Sequence, residues 1–223
     1  STAVKNADTV QNYRGTTPDL LNDSDHFAYV IGYMDGNVRP YGLISRAETA
    51  AVFFRLLKDE VRDGNLLTSN TYSDVPDDYW ANTAISTMTG LGIVQGHSGT
   101  TFDPEAPITR AQFAAICARF DTGAGGTTQT FSDISGHWAE EYIRQVAGLG
   151  WIKGFEDGTF RPYKTISRQE AVAMLDRLYQ VLGGKTDAVS EKAFADDAKI
   201  GDWARGSVYA MRQTGIMQGK ENN

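Results

Sequence analysis

Three arginines stand where helices should begin. Arg46, Arg110 and Arg168 each occupy the third place of a phrase written three times: Ile44-Ser45-Arg46-Ala47-Glu48, Ile108-Thr109-Arg110-Ala111-Gln112 and Ile166-Ser167-Arg168-Gln169-Glu170. A cation at the first helical position lies beside the positive end of the helix dipole. It forfeits a few tenths to about 1 kcal/mol relative to an anion there. Helix stability alone therefore does not account for the choice, and two chemistries would. Each guanidinium can pack its stem on the core and pair with a carboxylate of a neighbouring segment, with Asp74, Asp133 and Asp196 as candidates. Alternatively, arginine and the helix-start amides can hold an anion together, the guanidinium gripping a carboxylate through two parallel hydrogen bonds. The residues leave both readings open, and the two are compatible.

The rest of the phrase positions that arginine. Ser45, Thr109 and Ser167 are good N-caps, and Glu48, Gln112 and Glu170 follow three residues later, which is the capping box. A cap contributes about 1 kcal/mol wherever it occurs, so these residues read first as helix starters. Ile44, Ile108 and Ile166 precede the caps, and Phe113 offers a staple partner in the second copy. Ahead of each phrase runs a Gly-turn-Pro stretch, GYMDGNVRP, GHSGTTFDP or GFEDGTFRP. Asp35-Gly36, Ser98-Gly99 and Asp157-Gly158 mark turns, and Pro40, Pro104 and Pro162 are expected to keep the chain extended before the helix. After each phrase comes an apolar-faced helical run: AETAAVFFRLL, AQFAAICARF or QEAVAMLDRLY.

A second kind of half-repeat alternates with the first. It starts with an aromatic, a small residue and Asp, reaches a Trp, and continues as a helix: YSDVPDDYWANTAISTMTGLG, FSDISGHWAEEYIRQVAGLG and FADDAKIGDWARGSVYAMRQTG. Trp80, Trp138 and Trp203 fall at the helix starts on apolar stripes, where a tryptophan reads as core rather than as a sugar-stacking platform. Gly92, Gly150 and Gly215 sit where left-handed C-caps belong, each followed by an apolar residue (Ile93, Trp151, Ile216).

Recurrence of the arginine phrase after 64 and then 58 residues marks a repeat architecture. Counting halves gives three of each kind, beginning mid-repeat. The helix from about Trp203 to Gln213 is therefore expected to fill the place left empty at the N-terminus, closing three units into a ring with adjacent termini. The predicted class is mainly α, a pseudo-threefold trimer of helix–loop–helix repeats with short extended turns. Residues 1–17 read as an N-terminal linker, and residues 18–223 as the module. Within the module the second half of repeat one spans about 26–60, repeat two 72–121, repeat three 131–182, and the completing C-terminal half 194–219. Breaks fall at the Gly/Thr-rich stretch around residue 125 and at 183–187.

Composition narrows the function. With 41% hydrophobic and 22% charged residues the 223-residue chain has the make-up of a globular protein, and its net charge of −7 argues against general affinity for nucleic acid or anionic membrane. No apolar run approaches the roughly 20 residues of a membrane span. No basic-then-apolar leader precedes Ser1, so an export signal is expected to have been removed or to lie beyond this chain. The single Cys117 excludes an internal disulfide framework and reads as a small buried hydrophobe. His26, His97 and His137 form no metal-ligand spacing. The Asp-Gly turns lack the EF-hand pattern, and Asp77-Asp78 and Glu140-Glu141 lack a glycosidase arrangement. No catalytic residue, metal or cofactor is expected.

The segment FSDISGHWAEEYIRQVAGLGWIKGFEDGTFRPYKTISRQEAVAML closely resembles an S-layer homology (SLH) repeat, with its F-x-D…H-W-A start, G-F-x-D-G-x-F-x-P turn and I-T-R-A-E-like helix opening. YSDVPDDYW through AQFAAICARF is a second such repeat, and the flanking halves complete a third, so the resemblance covers about residues 26–219. It implies a non-catalytic module at the bacterial cell surface, part of a larger exported protein. Such a module binds anionic secondary cell wall polysaccharide, often through a pyruvylated sugar, in grooves between repeats. Carried over by motif, the arginine contacts are Arg46, Arg110 and Arg168, flanked by Ser45, Thr109 and Ser167. Gly32, Gly96 and Gly154 border the grooves and offer backbone contacts. Gln112 for Glu, Ser98 for Asp and Gln169 for Ala depart from the pattern, so the three grooves are not expected to be equivalent. The alternative is a protein-interaction or S-layer self-assembly module that binds no carbohydrate.

Overall fold

Each copy of the arginine phrase opens a helix whose start is tied to the next copy. The computed structural model describes residues 30–31, 37–120, 130–181, 194–213 and 217–218. In chain order these form β1 (Val30–Ile31), α1 (Arg46–Leu56), α2 (Asp59–Gly64), α3 (Asn82–Gly90), α4 (Arg110–Phe120), α5 (Glu140–Gly148), α6 (Arg168–Val181), α7 (Asp202–Gln213) and β2 (Met217–Gln218). The class is mainly α, as the periodicity predicts. The expectations placed on residues 1–17, His26, Gly32, Asp35-Gly36, the 125 and 183–187 breaks, Gly215 and Ile216 lie outside the described residues.

All three capping boxes form. The Glu48 N–H donates to Ser45 Oγ (3.1 Å) while Glu48 Oε2 accepts from the Ser45 N–H (2.8 Å). Gln112 and Thr109 exchange the same pair of bonds at 3.3 and 3.0 Å, and Glu170 and Ser167 at 3.4 and 2.9 Å. The next two amides of each helix go to the neighbouring copy. Arg46 and Ala47 N–H donate to the carbonyls of Ala106 and Pro104, Arg110 and Ala111 to Lys164 and Pro162, and Arg168 and Gln169 to Gly42 and Pro40. One residue upstream the isoleucines close a cycle. The Ile44 N–H donates to the Ile166 carbonyl (3.1 Å), Ile166 to Ile108 (3.0 Å), and Ile108 to Ile44 (3.0 Å). Their side chains are buried, so this polar cycle is sealed by apolar groups, the condition under which buried backbone bonds are most needed.

The core lies between helix pairs: α1 packs on α3, α4 on α5 and α6 on α7. Phe53 of α1 stacks on Phe120 and tilts against Phe113, both of α4, joining the first pair to the second. Cys117 is buried in this core, and burial pushes its thiol well above the ordinary range, as expected of a packing residue. Helices α3 and α5 end as foreseen. Gly92 and Gly150 take φ of 73° and 76°, and the N–H groups of Ile93 and Trp151 reach back to the Met88 and Val146 carbonyls, forming Schellman caps. The C-terminal segment returns to the first repeat: β2 pairs in parallel with β1, and Asp196 binds the turn before Pro40.

Two expectations are corrected. The residues before the prolines are not extended: Arg39, Asp103 and Arg161 have φ of 51°, 56° and 57°. The cause is a distant carboxylate that collects two successive amides. Asp196 accepts from Val38 and Arg39, Asp74 from Phe102 and Asp103, and Asp133 from Phe160 and Arg161, all at 2.7–2.8 Å. Converging two neighbouring N–H groups on one anion requires this kind of bend, at about 1–3 kcal/mol of local strain. The tryptophans are also not core: Trp80, Trp138 and Trp203 are 60%, 58% and 59% exposed. The residue after each one, Ala81, Ala139 or Ala204, is the one that turns inward and is buried. At a helix start two adjacent side chains point in different directions, so burying the alanine sends the indole out.

Candidate ligand cleft

The three arginines share one mode of attachment. Arg46 Nε donates to the Phe102 carbonyl (2.8 Å), Arg110 Nε to Phe160 (2.7 Å) and Arg168 Nε to Val38 (3.0 Å). The amides of those same residues are the ones held by Asp74, Asp133 and Asp196. Arginine and aspartate are thus joined through one residue's backbone rather than as an ion pair, which corrects the direct pairing considered from sequence. The helix-start amides are occupied as well: the cap's amide by Glu or Gln, the next two by the neighbouring copy, the fourth by the cap hydroxyl. They offer an anion nothing. Ser45, Thr109 and Ser167 accept that fourth amide. Any anion chemistry rests on the guanidinium.

Arg46 lines a cleft of about 380 Å³ together with Gln95, Gly96, His97, Phe102, Gln112, Arg119 and Trp138. Its Nη2 donates to the Gln95 carbonyl (2.8 Å) and its plane lies 4.5 Å from the Phe102 centroid. Nη1 has no partner among the described residues. Burial lowers the Arg46 pKa while Asp103, Tyr72 and Asp74 act to raise it. A second arginine stands beside it. Arg119 donates from Nη1 to the Ile93 carbonyl (2.9 Å) and from Nη2 to Gln95 Oε1 (3.0 Å), so Gln95 braces both cations. His97 Nδ1 is 3.7 Å from Asp103 Oδ2 at the rim. Among the described residues, none that lines the cleft is acidic.

Gly96 borders the cleft, and it has no room for a side chain. A Cβ would lie 2.5 Å from Tyr72 Cε1 and 2.7 Å from the Thr101 carbonyl oxygen. At Gly154 the Phe131 ring closes the same space. The other two arginines have different surroundings. Arg110 is buried, donates from Nη2 to the Lys153 carbonyl (2.8 Å), and lies over the Phe155 and Phe160 rings. Burial first of all, with Arg177 and Arg161 adding to it against Glu170 and Asp133, takes its pKa to about 10. Arg168, also buried, forms an ion pair with Glu48 at 2.9 Å. The capping glutamate of copy one thus neutralises the arginine of copy three.

The sequence reading missed Arg119, Gln112 as a cleft residue, and Trp138 as an exposed one. A signal for Arg119 was present: Arg55, Arg119 and Arg177 each follow the helix-start arginine by nine residues. That spacing puts the second arginine farther along the same helix, and its recurrence in three copies has no cause in capping.

An arginine and an aspartate joined through one residue's backbone, repeated three times, define a repeat module, and at Arg46 the guanidinium lines a cleft. The S-layer homology domain model matches residues 71–114, 130–172 and 193–223, more than half of the chain. The chain belongs to the SLH domain family. It is 39% identical over 69% of its length to cell surface glycoprotein 1 of Acetivibrio thermocellus, and 37% identical over 72% to the cellulosome-anchoring protein of that organism. It is 34% identical over 69% of its length to an amylopullulanase of Thermoanaerobacterium thermosulfurigenes. It spans 7%, 37% and 8% of those three proteins. No helix among the described residues is long and apolar enough to cross a membrane.

Proposed function

We propose that residues 18–223 form a non-catalytic module that holds a larger exported protein at the bacterial cell surface by binding anionic secondary cell wall polysaccharide. Repeats at about 72–121 and 131–182, and a first repeat assembled from 26–60 and 194–219, surround a pseudo-threefold axis at the isoleucine cycle. The observation that carries this reading is the Arg46 cleft: a braced guanidinium with, among the described residues, no partner for Nη1 and no acidic residue in the lining, Arg119 beside it and an exposed Trp138. A carboxylate accepts hydrogen bonds from such a pair, and an indole face covers the C–H face of a sugar. A pyruvylated amino sugar presents both chemistries. Gly96 borders the cleft and offers its backbone to the ligand. The relatives support the anchoring role: a surface glycoprotein, an anchoring protein and an amylopullulanase share with this chain a segment that is 7%, 37% and 8% of their lengths.

The test is binding of the chain to purified wall polymer before and after chemical removal of its pyruvyl groups. Retention of the intact polymer and loss of the stripped one is expected. Equal retention of both removes the carboxylate from the mechanism.

A further inference from the structure

Trp138 is one ring of a longer surface strip. Its indole centroid lies 5.5 Å from the His137 imidazole, which meets the Tyr163 ring edge-on at 4.8 Å. On its other side Tyr142 lies 6.4 Å away and carries the Arg119 guanidinium at 5.4 Å. The strip therefore runs from the cleft floor, over Trp138, to Tyr163, which is 76% exposed. His137 fixes the bend. Its Nδ1 accepts the Ala139 N–H at 3.0 Å, which places the ring proton on Nε2. That Nε2 is buried without a hydrogen-bond partner among the described residues.

Among the described residues the strip belongs to this repeat alone. Glu105 takes the place of Tyr163 in repeat two, where it accepts the Tyr79 hydroxyl. Tyr41 takes it in repeat one, where the residue before the tryptophan is Asp202. Three adjoining rings continuous with a polar cleft are a patch of the kind that marks a binding surface. The nearby cation Lys164 is paired with Glu170, so the outer strip presents rings rather than charge.

We propose that Trp138, His137 and Tyr163 form a second sugar subsite, on which the neutral residue next to the anionic sugar lies with its C–H face against the rings. The inference rests on the cleft reading above and extends it outward. Two probes separate them: the methyl glycoside of a pyruvylated N-acetylhexosamine, and a disaccharide joining that sugar to an unmodified N-acetylhexosamine. Binding is followed through the Trp138 indole resonance, which reports this cleft. Tyr163→Ala is expected to weaken the disaccharide about fivefold while leaving the monosaccharide within twofold, and Tyr163→Phe to restore it. Tyr41→Ala, at an exposed tyrosine of repeat one, leaves both unchanged. A monosaccharide that binds while Tyr163→Ala weakens neither or both probes overturns the outer subsite and leaves the cleft standing. So does an equal loss in Tyr41→Ala. Failure of either probe to shift the indole in the unaltered protein overturns the cleft reading, and the subsite with it.

Discussion

Arg46 and Arg168 begin from the same phrase and arrive at opposite electrostatic states. Both donate Nε to a carbonyl whose own amide is held by an aspartate. Arg168 is then buried against Glu48, whereas Arg46 shares its cleft with Gln112. Glu48 and Gln112 are the same capping position in successive copies, and both complete the capping box. The box needs only a side-chain oxygen, which glutamine supplies as well as glutamate. The substitution is therefore neutral for the helix and decisive for the cleft, because it removes a negative charge from beside a cation. One of these arginines is a structural tie with its charge already matched, and the other is a tie with charge to offer.

The largest expected effect comes from truncating the two arginines and comparing what is lost. Arg168→Ala should destabilise the fold by about 3 kcal/mol, near the low end for breaking a buried ion pair because Glu48 keeps contact with water. Denaturant unfolding measures it. Arg46→Ala should cost about half as much stability, removing two charged hydrogen bonds at a partly open site, yet abolish measurable polymer binding. If both variants lose the same stability and neither loses binding, the two arginines are equivalent ties.

Exchanging the capping residues is the next sharpest test. Gln112→Glu places a carboxylate in the Arg46 cleft while keeping the box, so stability should change by under about 0.5 kcal/mol and anion affinity should fall roughly tenfold. Glu48→Gln keeps its box too but leaves Arg168 without its anionic partner, and about 1–2 kcal/mol of stability should be lost. Calorimetric titration and thermal melts on the pair read both effects. Unchanged affinity in Gln112→Glu would sever the link between that position and the cleft.

These comparisons also show where sequence reading reaches its limit. The capping boxes and the glycine C-caps at Gly92 and Gly150 were legible because their causes lie within a few residues. The bends at Arg39, Asp103 and Arg161 were not, since proline gave an opposite local expectation and the deciding carboxylate is as far as 157 residues away in sequence. The tryptophans failed for a geometric reason: helical periodicity was extended past the first turn, where Ala81, Ala139 and Ala204 take the inward place. The arginine phrase was found at once, but whether its charge is matched depends on which capping residue lies across the repeat boundary. That pairing became visible only with the contacts between the copies in place.

Trp138→Ala is expected to have a smaller effect than either exchange at the cleft. The side chain is mostly exposed, so the melt should hardly move while polymer affinity falls by up to about tenfold, the range for a lost aromatic contact. Trp203→Ala, as exposed but absent from the Arg46 lining, is the matched comparison and should leave that cleft's affinity intact.

The smallest effect is a pH dependence of the turn that braces Arg46. Burial acts to raise the Asp74 carboxyl, but the Phe102 and Asp103 amides, with help from Arg46, hold it below its ordinary value of 3.8. A carboxyl whose pKa is lower folded than unfolded adds stability that is complete above the unfolded value and fades as pH falls through the folded one. Asp74→Asn replaces one of the two accepting oxygens with a donor and cannot titrate. The unfolding free-energy gap between the two proteins should therefore be widest above about pH 5 and narrow steadily as acid protonates Asp74. A gap that stays constant down to acid pH would mean the carboxylate's charge contributes nothing to the turn, and that its two oxygens act only by shape.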